Sequence, residues 1–208
     1  MARYTDPVCK LCRREGMKLF LKSTRCDTPK CAFERRGFPP GMHQFKRGKT
    51  STYGVRLREK QKLKRYYGVL ERQFRRLFLI ATRAPGNTGE ALLSLLERRL
   101  DNIVCRLGMA GSRAQARQLV RHGHVLVNGE RVDIPSYLVG VGDTVSVKNR
   151  PKTLNMVKPR YAESPPSVPD FLELSSTDPP EGKMIRLPGG SDGSFPVQVQ
   201  LIVEMLSK

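Results

Sequence analysis

Ser112–Gly129, SRAQARQLVRHGHVLVNG, reads as a short helix with a basic stripe that runs straight into a strand and a tight turn. Ser112 suits the N-cap, because its hydroxyl can accept a hydrogen bond from one of the first free backbone N–H groups. Arg113, Arg117 and Arg121 recur at i, i+4 and i+8, which sets three guanidinium groups in a row with steps of about 6 Å, a spacing suited to successive phosphates. Ala116, Leu119 and Val120 fall on the opposite face and would anchor the helix to a core. Gly123 suits the left-handed end of a helix, and His122 and His124 flank it beside the basic row. Val125, Leu126 and Val127 then begin a strand, and Asn128-Gly129 is a strong hairpin signal, since both turn positions need positive φ. The stretch predicts a rigid cationic helix on a small mixed fold, aimed at nucleic acid. The plain alternative is a solvated helix face.

The rest of the composition favours the first reading. Lys and Arg number 38 against 19 Asp and Glu, a formal charge of +19 and a pI near 10.3. Such an excess repels itself unless a polyanion relieves it, and RNA, DNA or an anionic membrane are the candidates. The excess is concentrated in the first 90 residues and is gone beyond residue 150. No apolar run approaches the roughly 18 residues of a membrane span, and the N-terminus lacks the apolar segment of a signal peptide, so a soluble cytoplasmic protein is expected. With 208 residues and 38% hydrophobic content, the chain can hold one medium domain or two small ones with modest cores.

Residues 1–45 carry four of the five cysteines, Cys9, Cys12, Cys26 and Cys31, in a C-x-x-C and a C-x-x-x-x-C pair. That spacing is close to structural zinc sites, and in a reducing compartment metal is a better reading than disulfides. An iron–sulfur cluster uses the same ligands and stays open, as do four unrelated thiols. Arg13, Arg14, Arg35 and Arg36 surround the cysteines and would be fixed in place by the metal, and Lys46 and Arg47 continue the basic run along an extended arm. Gly48-Lys49-Thr50 resembles the tail of a phosphate-binding loop but fails, because the position five before Gly48 is His43, not Gly.

Residues 46–90 predict a helical body. Tyr53–Tyr67 interleaves Arg56, Arg58, Lys60, Lys62, Lys64 and Arg65 with Val55, Leu57 and Leu63, so this helix is expected between a core and a polyanion. Leu70, Phe74, Leu77, Phe78 and Ala81 form the apolar stripe of a second helix, with Arg72, Arg75 and Arg76 outward. Residues 91–150 predict a small RNA-binding domain of two helices plus a small sheet. Its first helix starts at a capping box, Asn87 and Glu90, and runs on a leucine stripe to Gly108, with Cys105 as a core residue. Residues 151–208 are Pro-rich, with Pro165-Pro166 and Pro179-Pro180. Short strands are expected at 171–174, 184–187 and 197–203, in a segment packing back on the helical body.

The unit from Leu96 to Val147, LERRLDNIVCRLG with SRAQARQLVRHGHVLVNGERVDIPSY and VGDTVSV, resembles the small RNA-binding domain shared by a small-subunit ribosomal protein, pseudouridine synthases and tyrosyl-tRNA synthetases. The flanks VCKLCRREG with Cys26 and Cys31, RRGFPPGMH, YGVRLREKQKLKRYYGVLERQFR and GNTGEALLSLLERRLDN are similar, in this order, to the bacterial small-subunit ribosomal proteins of the uS-four family. The likeness runs to about Lys148 and resumes weakly at Val197–Lys208, PVQVQLIVEMLSK being its last stretch. It departs at His43-Gln44, where a Gly is usual, and in the Pro-rich residues 155–180.

The resemblance implies an α+β fold: a mainly helical body with an N-terminal zinc knuckle at Cys9, Cys12, Cys26 and Cys31, and an inserted helix-plus-sheet RNA-binding domain carrying Arg113, Arg117 and Arg121. It implies a primary assembly protein of the ribosome that binds the five-prime domain of small-subunit ribosomal RNA directly and has no enzymatic activity. It also implies contact with small-subunit protein number five and other neighbours, a role in translational accuracy, a position near mRNA, and in some members repression of their own mRNA. Neither a membrane nor a small-molecule substrate is expected. Low aromatic content, 7%, suits recognition of folded RNA by shape and backbone better than stacking on single strands. The alternatives are an RNA-modifying enzyme of the pseudouridine synthase kind using the same small domain as an anchor, which would need a further catalytic domain, and a zinc hydrolase, which four thiolates would close off.

Overall fold

The computed structural model describes residues 3–42, 50–163, 167–193 and 195–207. Lys46, Arg47, the His43-Gln44 pair, the Gly48-Lys49 pair and Pro165-Pro166 lie outside them. Along the described chain come α1 (Cys9–Glu15), α2 (Ala32–Arg35), α3 (Thr52–Tyr66), α4 (Glu71–Arg83), α5 (Thr88–Glu97), α6 (Leu100–Arg106) and α7 (Arg113–Arg121). These are followed by β1 (Val125–Val127), β2 (Glu130–Arg131), β3 (Thr144–Val147), α8 (Pro151–Glu163), β4 (Leu172–Thr177), β5 (Pro180–Met184) and α9 (Val199–Leu206). The chain forms two compact units, one of Met1–Leu92 with Phe195–Lys208 and the other of Leu93–Ser194. Among the described residues no helix is long and apolar enough to cross a membrane.

In the first unit the Ser51 hydroxyl accepts from the Gly54 N–H and starts α3. α4 buries Phe74, Leu77, Phe78 and Ala81, the stripe read from the sequence, and each large side chain so buried contributes about 1.5–3 kcal/mol. α1 and α9 both pack on α3. The expected strand at 197–203 is a helix. Val199, Ile202, Val203 and Leu206 recur at i, i+3, i+4 and i+7, and this helical stripe overrides the strand preference of its β-branched residues. Ile202 is fully buried, the Tyr66 and Phe195 rings stack with centroids 4.4 Å apart, and the Glu59 carboxylate accepts from the Gln198 N–H at 3.3 Å.

The second unit is an antiparallel sheet in the order β2-β1-β3-β5-β4 with α6 and α7 packed on each other. Its core joins Leu100, Ile103, Leu107, Leu119, Val125, Val145, Phe171 and Met184. Asn128 and Gly129 both take the left-handed conformation that the turn signal required, φ 51° and 82°. The Asn128 side-chain oxygen also accepts from the Thr144 N–H at 2.9 Å, which pins the turn to β3.

Two expectations change here. The helix expected to run unbroken to Gly108 is divided between α5 and α6. Arg99 is extended, with ψ 136°, the Leu100 N–H donates to the Tyr137 carbonyl at 2.9 Å, and the Val139 N–H donates to that of Arg98. These bonds to the loop after β2 replace the helical ones. Residues 151–208 do not form one segment on the helical body. α9 joins α3, but residues 151–193 belong to the second unit, where β5 pairs with β3 in the register Thr144↔Lys183 and Ser146↔Glu181. Gly182 makes this possible, because a Cβ there would stand 2.4 Å from a Leu107 methyl carbon. The strand expected at 171–174 is found as the start of β4, whereas the one expected at 184–187 is not: its partner β5 ends at Met184 and lies on the N-terminal side, in the hairpin that turns at Asp178-Pro179; α8 was not expected across its internal Pro159.

Candidate nucleic-acid interface

The α3 cations are already partnered. Arg56 pairs with Glu204 at 2.7 Å, Arg58 with Glu15 at 3.3 Å, Lys60 and Lys64 with Glu71 at 2.7 and 3.0 Å, Arg65 with Glu15 and Lys62 with Glu59. The sequence placed this helix against a polyanion. Four carboxylates, from α1, α4, α9 and α3 itself, partner its six cations, which are half-buried or buried and need partners there. Burial opposes ionisation of Glu71, but hydrogen bonds from Lys60 and Lys64 win and hold its pKa down to about 2. For Glu15 burial dominates and pushes its carboxyl up against the pull of Arg65 and Arg58, and its Oε2 atom is buried without a hydrogen-bond partner. α1 is therefore tied to α3 by Glu15 at its end.

Around the cysteines, Arg13 donates to the Phe38 carbonyl at 3.0 Å and lies 5.0 Å over the Phe38 ring, and Arg14 donates to the Pro40 carbonyl at 3.2 Å. These two arginines hold the Phe38-Pro39-Pro40 turn. Arg35, Arg36 and Arg72 are exposed. Cys9 and Cys12 lie on α1, Cys26 ends a single 3-10 turn and Cys31 precedes α2. Cys12, Cys26 and Cys31 are buried. Burial pushes the Cys12 thiol up, the Leu19 N–H opposes, and Cys26, Cys9 and Cys31 add to the rise. The Cys26 thiol is likewise raised by burial against the Lys22 N–H, 3.4 Å from its sulfur. All four sulfurs are thus electrostatic neighbours, a donor set chemically suited to zinc. The closed knuckle expected from their spacing is not shown, however: among the described residues no group of three or more His, Cys, Asp or Glu is arranged to hold a metal.

In the second unit the Ser112 hydroxyl accepts from the Gln115 N–H at 3.3 Å and caps α7 as expected. The arginine row is not uniformly outward. Arg113 donates to Asn102 at 2.8 Å and Arg117 to Asp101 at 3.2 Å, while Arg121 is exposed. Asp101 also takes a two-pronged bond from the buried Arg99, at 3.0 and 2.7 Å, and Asn102 donates to the buried Glu97 carboxylate at 2.6 Å. Arg106 completes that end of the network on Glu97 at 3.1 Å. Asp101 and Asn102 therefore set the angle of the row, a role that the sequence reading missed because it requires α6 and α7 to be side by side. His122 is exposed. His124 is half-buried with Nδ1 3.0 Å from the Thr153 hydroxyl, and burial, then His122, Arg150, Lys148 and Arg131, push its pKa below the usual imidazole value. These last three cations were also missed. Arg131 follows the Asn-Gly turn and Lys148 follows β3, positions that only the folded hairpin brings to the end of α7.

A capped basic helix leading into a tight hairpin defines the class: residues 98–145 match the S4 domain, and residues 3–97 match the Ribosomal protein S4/S9 N-terminal domain. The small ribosomal subunit protein uS4 of Thermoanaerobacter sp. (strain X514) is 57% identical over 208 residues, all of both chains. That of Thermodesulfovibrio yellowstonii is 56% identical over 209 residues, and uS4A of Clostridium botulinum (strain ATCC 19397 / Type A) is 55% identical over 208, again with full coverage of both chains. The chain belongs to the uS4 family of small ribosomal subunit proteins. The likeness spans the Pro-rich residues 155–180 as well, where the sequence reading had it lapse.

Proposed function

We propose that this chain is a structural constituent of the small ribosomal subunit in the cytoplasm, where it binds ribosomal RNA through positioned cations and makes or breaks no covalent bond. The reading is carried by full-length identity of 57% to a small ribosomal subunit protein. The exposed arginines support it: Arg35, Arg36, Arg72 and Arg121 are open to phosphate, whereas each α3 cation has a carboxylate partner within the protein. Folded RNA offers backbone oxygens and shape more than base edges, which suits guanidinium groups fixed by hydrogen bonds to protein. Within this reading the RNA is the five-prime domain of the small-subunit transcript, bound early in assembly. Protein number five and other small-subunit proteins are neighbours, mRNA passes nearby, and decoding accuracy depends on the contacts. The pseudouridine synthase alternative would need a catalytic domain beyond these two units.

The proposal includes structural zinc held by Cys9, Cys12, Cys26 and Cys31, whose donor chemistry fits it. The metal would supply a cross-link between α1 and the start of α2 and no chemistry on RNA. Elemental analysis of the purified chain is expected to find one zinc per molecule and none in Cys26→Ser. Full zinc content in that variant would remove the four-sulfur proposal. For RNA, a gel-shift titration against a five-prime-domain transcript and a large-subunit transcript of equal length is expected to favour the former by about tenfold or more. Equal affinity for the two would overturn the assignment.

A further inference from the structure

Where α7 ends, the second unit gathers cations from three places. Gly123 turns the chain with φ +70°, and the Arg131 guanidinium of β2 sits over it: a Cβ at Gly123 would stand 2.2 Å from Arg131 Nε. Arg131 therefore occupies the space that a side chain at position 123 would fill, beside the residue that separates His122 from His124 in the chain. The Lys148 N–H donates to the His124 carbonyl at 2.8 Å, which brings the residue after β3 to the same corner. Arg150 precedes α8, and the first turn of α8 supplies Thr153, whose fully buried hydroxyl is 3.0 Å from His124 Nδ1. The charged groups acting most strongly on the His124 ring are His122, Arg150, Lys148 and Arg131.

We propose that His122, His124, Arg131, Lys148 and Arg150 form one proton-linked anion site that seats a backbone phosphodiester of the bound RNA. The inference rests on the RNA-binding reading and deepens it. Thr153 fixes the ring through Nδ1, so Nε2 is the atom left to meet a phosphate oxygen. In the free protein the surrounding cations and partial burial disfavour the imidazolium. A phosphate in their midst reverses the local sign and favours it. Binding then takes up a proton on His124 from solvent, and affinity rises as pH falls from above the pKa of the bound state to below that of the free state. Each unit by which RNA raises the histidine pKa corresponds to about tenfold in affinity over that window.

The test is the affinity of the full chain for a five-prime-domain transcript at fixed ionic strength from pH 8 to pH 5.5, for wild type, His124→Gln and the exposed-residue variant Arg150→Gln. Wild type is expected to tighten by about threefold to tenfold as pH falls. His124→Gln should lose most of that rise, and Arg150→Gln should weaken binding at every pH. Proton NMR of the wild-type histidine rings, free and RNA-bound, reads the same site without any substitution, and the bound His124 should titrate at higher pH. RNA binding with an unmoved His124 titration and the same pH profile in His124→Gln would overturn this site and leave the RNA reading standing. Failure to bind the transcript at any pH would overturn both.

Discussion

Asp101 accepts two hydrogen bonds from Arg99 and one from Arg117, and both Asp101 and Arg99 are shut away from solvent. Removing one member of such a group leaves the other as a buried charge without its counterion, so Asp101→Ala should cost about 3–5 kcal/mol in chemical denaturation. It should also remove the Asp101 partner of Arg117. A loss below about 1 kcal/mol would show that Arg99 finds another partner. Glu71 makes a different statement because its pKa is about 2 in the fold. Its stabilisation is complete above the unfolded carboxyl value and is lost as pH falls through the folded one, that is, from near 4.5 to near 2. Glu71 is about a third exposed, so solvent screening reduces the contribution to about 1–2 kcal/mol. Denaturation curves of wild type and Glu71→Gln should converge toward pH 2 and separate by that amount at pH 6; an equal gap at both would contradict the pairing. None of these partnerships was legible beforehand. A sequence counts the cations on α3 but does not say that Glu15, Glu71 and Glu204 arrive beside them from other helices.

Elements were legible where the signal was local. The periodicity of α4, the Ser112 cap of α7, the Gly123 stop and the Asn128-Gly129 turn each depend on residues within one or two turns of one another, and each stands where expected. Elements failed where a distant partner decides the outcome. The break at Arg99 exists because the loop after β2 takes over the backbone bonds, and β4–β5 extend the sheet because Gly182 admits Leu107. The second unit therefore needs residues well beyond 150. Phe171, fully buried in the same core as α6 and α7, tests this. Phe171→Ala should cost about 3–5 kcal/mol and speed hydrogen exchange at the α6 and β3 amides. Unchanged protection there would mean that residues 151–193 are an accessory to this unit, not part of it.

For the molecule as a whole, the count of 38 Lys and Arg overstates the cations offered to a partner, and the formal charge of +19 is what is left once the 19 carboxylates are set against them. Pairing within the protein engages the α3 cations and part of the α7 row, and among the described residues the exposed cations are spread over α1, the loop between α1 and α2, α2, α4, the end of α7 with its hairpin, α8 and β5. Family and polyanion partner were legible from motif order and composition; the division of labour among the arginines was not, because stabilising and binding cations look alike in a sequence. The most direct test is the salt dependence of binding to small-subunit RNA. Each phosphate contact contributes about 0.7 to 0.9 to the slope of log affinity against log salt. The slope for wild type should be steep, several contacts' worth, and Arg121→Ala should make it shallower by about one contact while leaving the melting temperature in place. A wild-type slope near zero would contradict phosphate recognition outright.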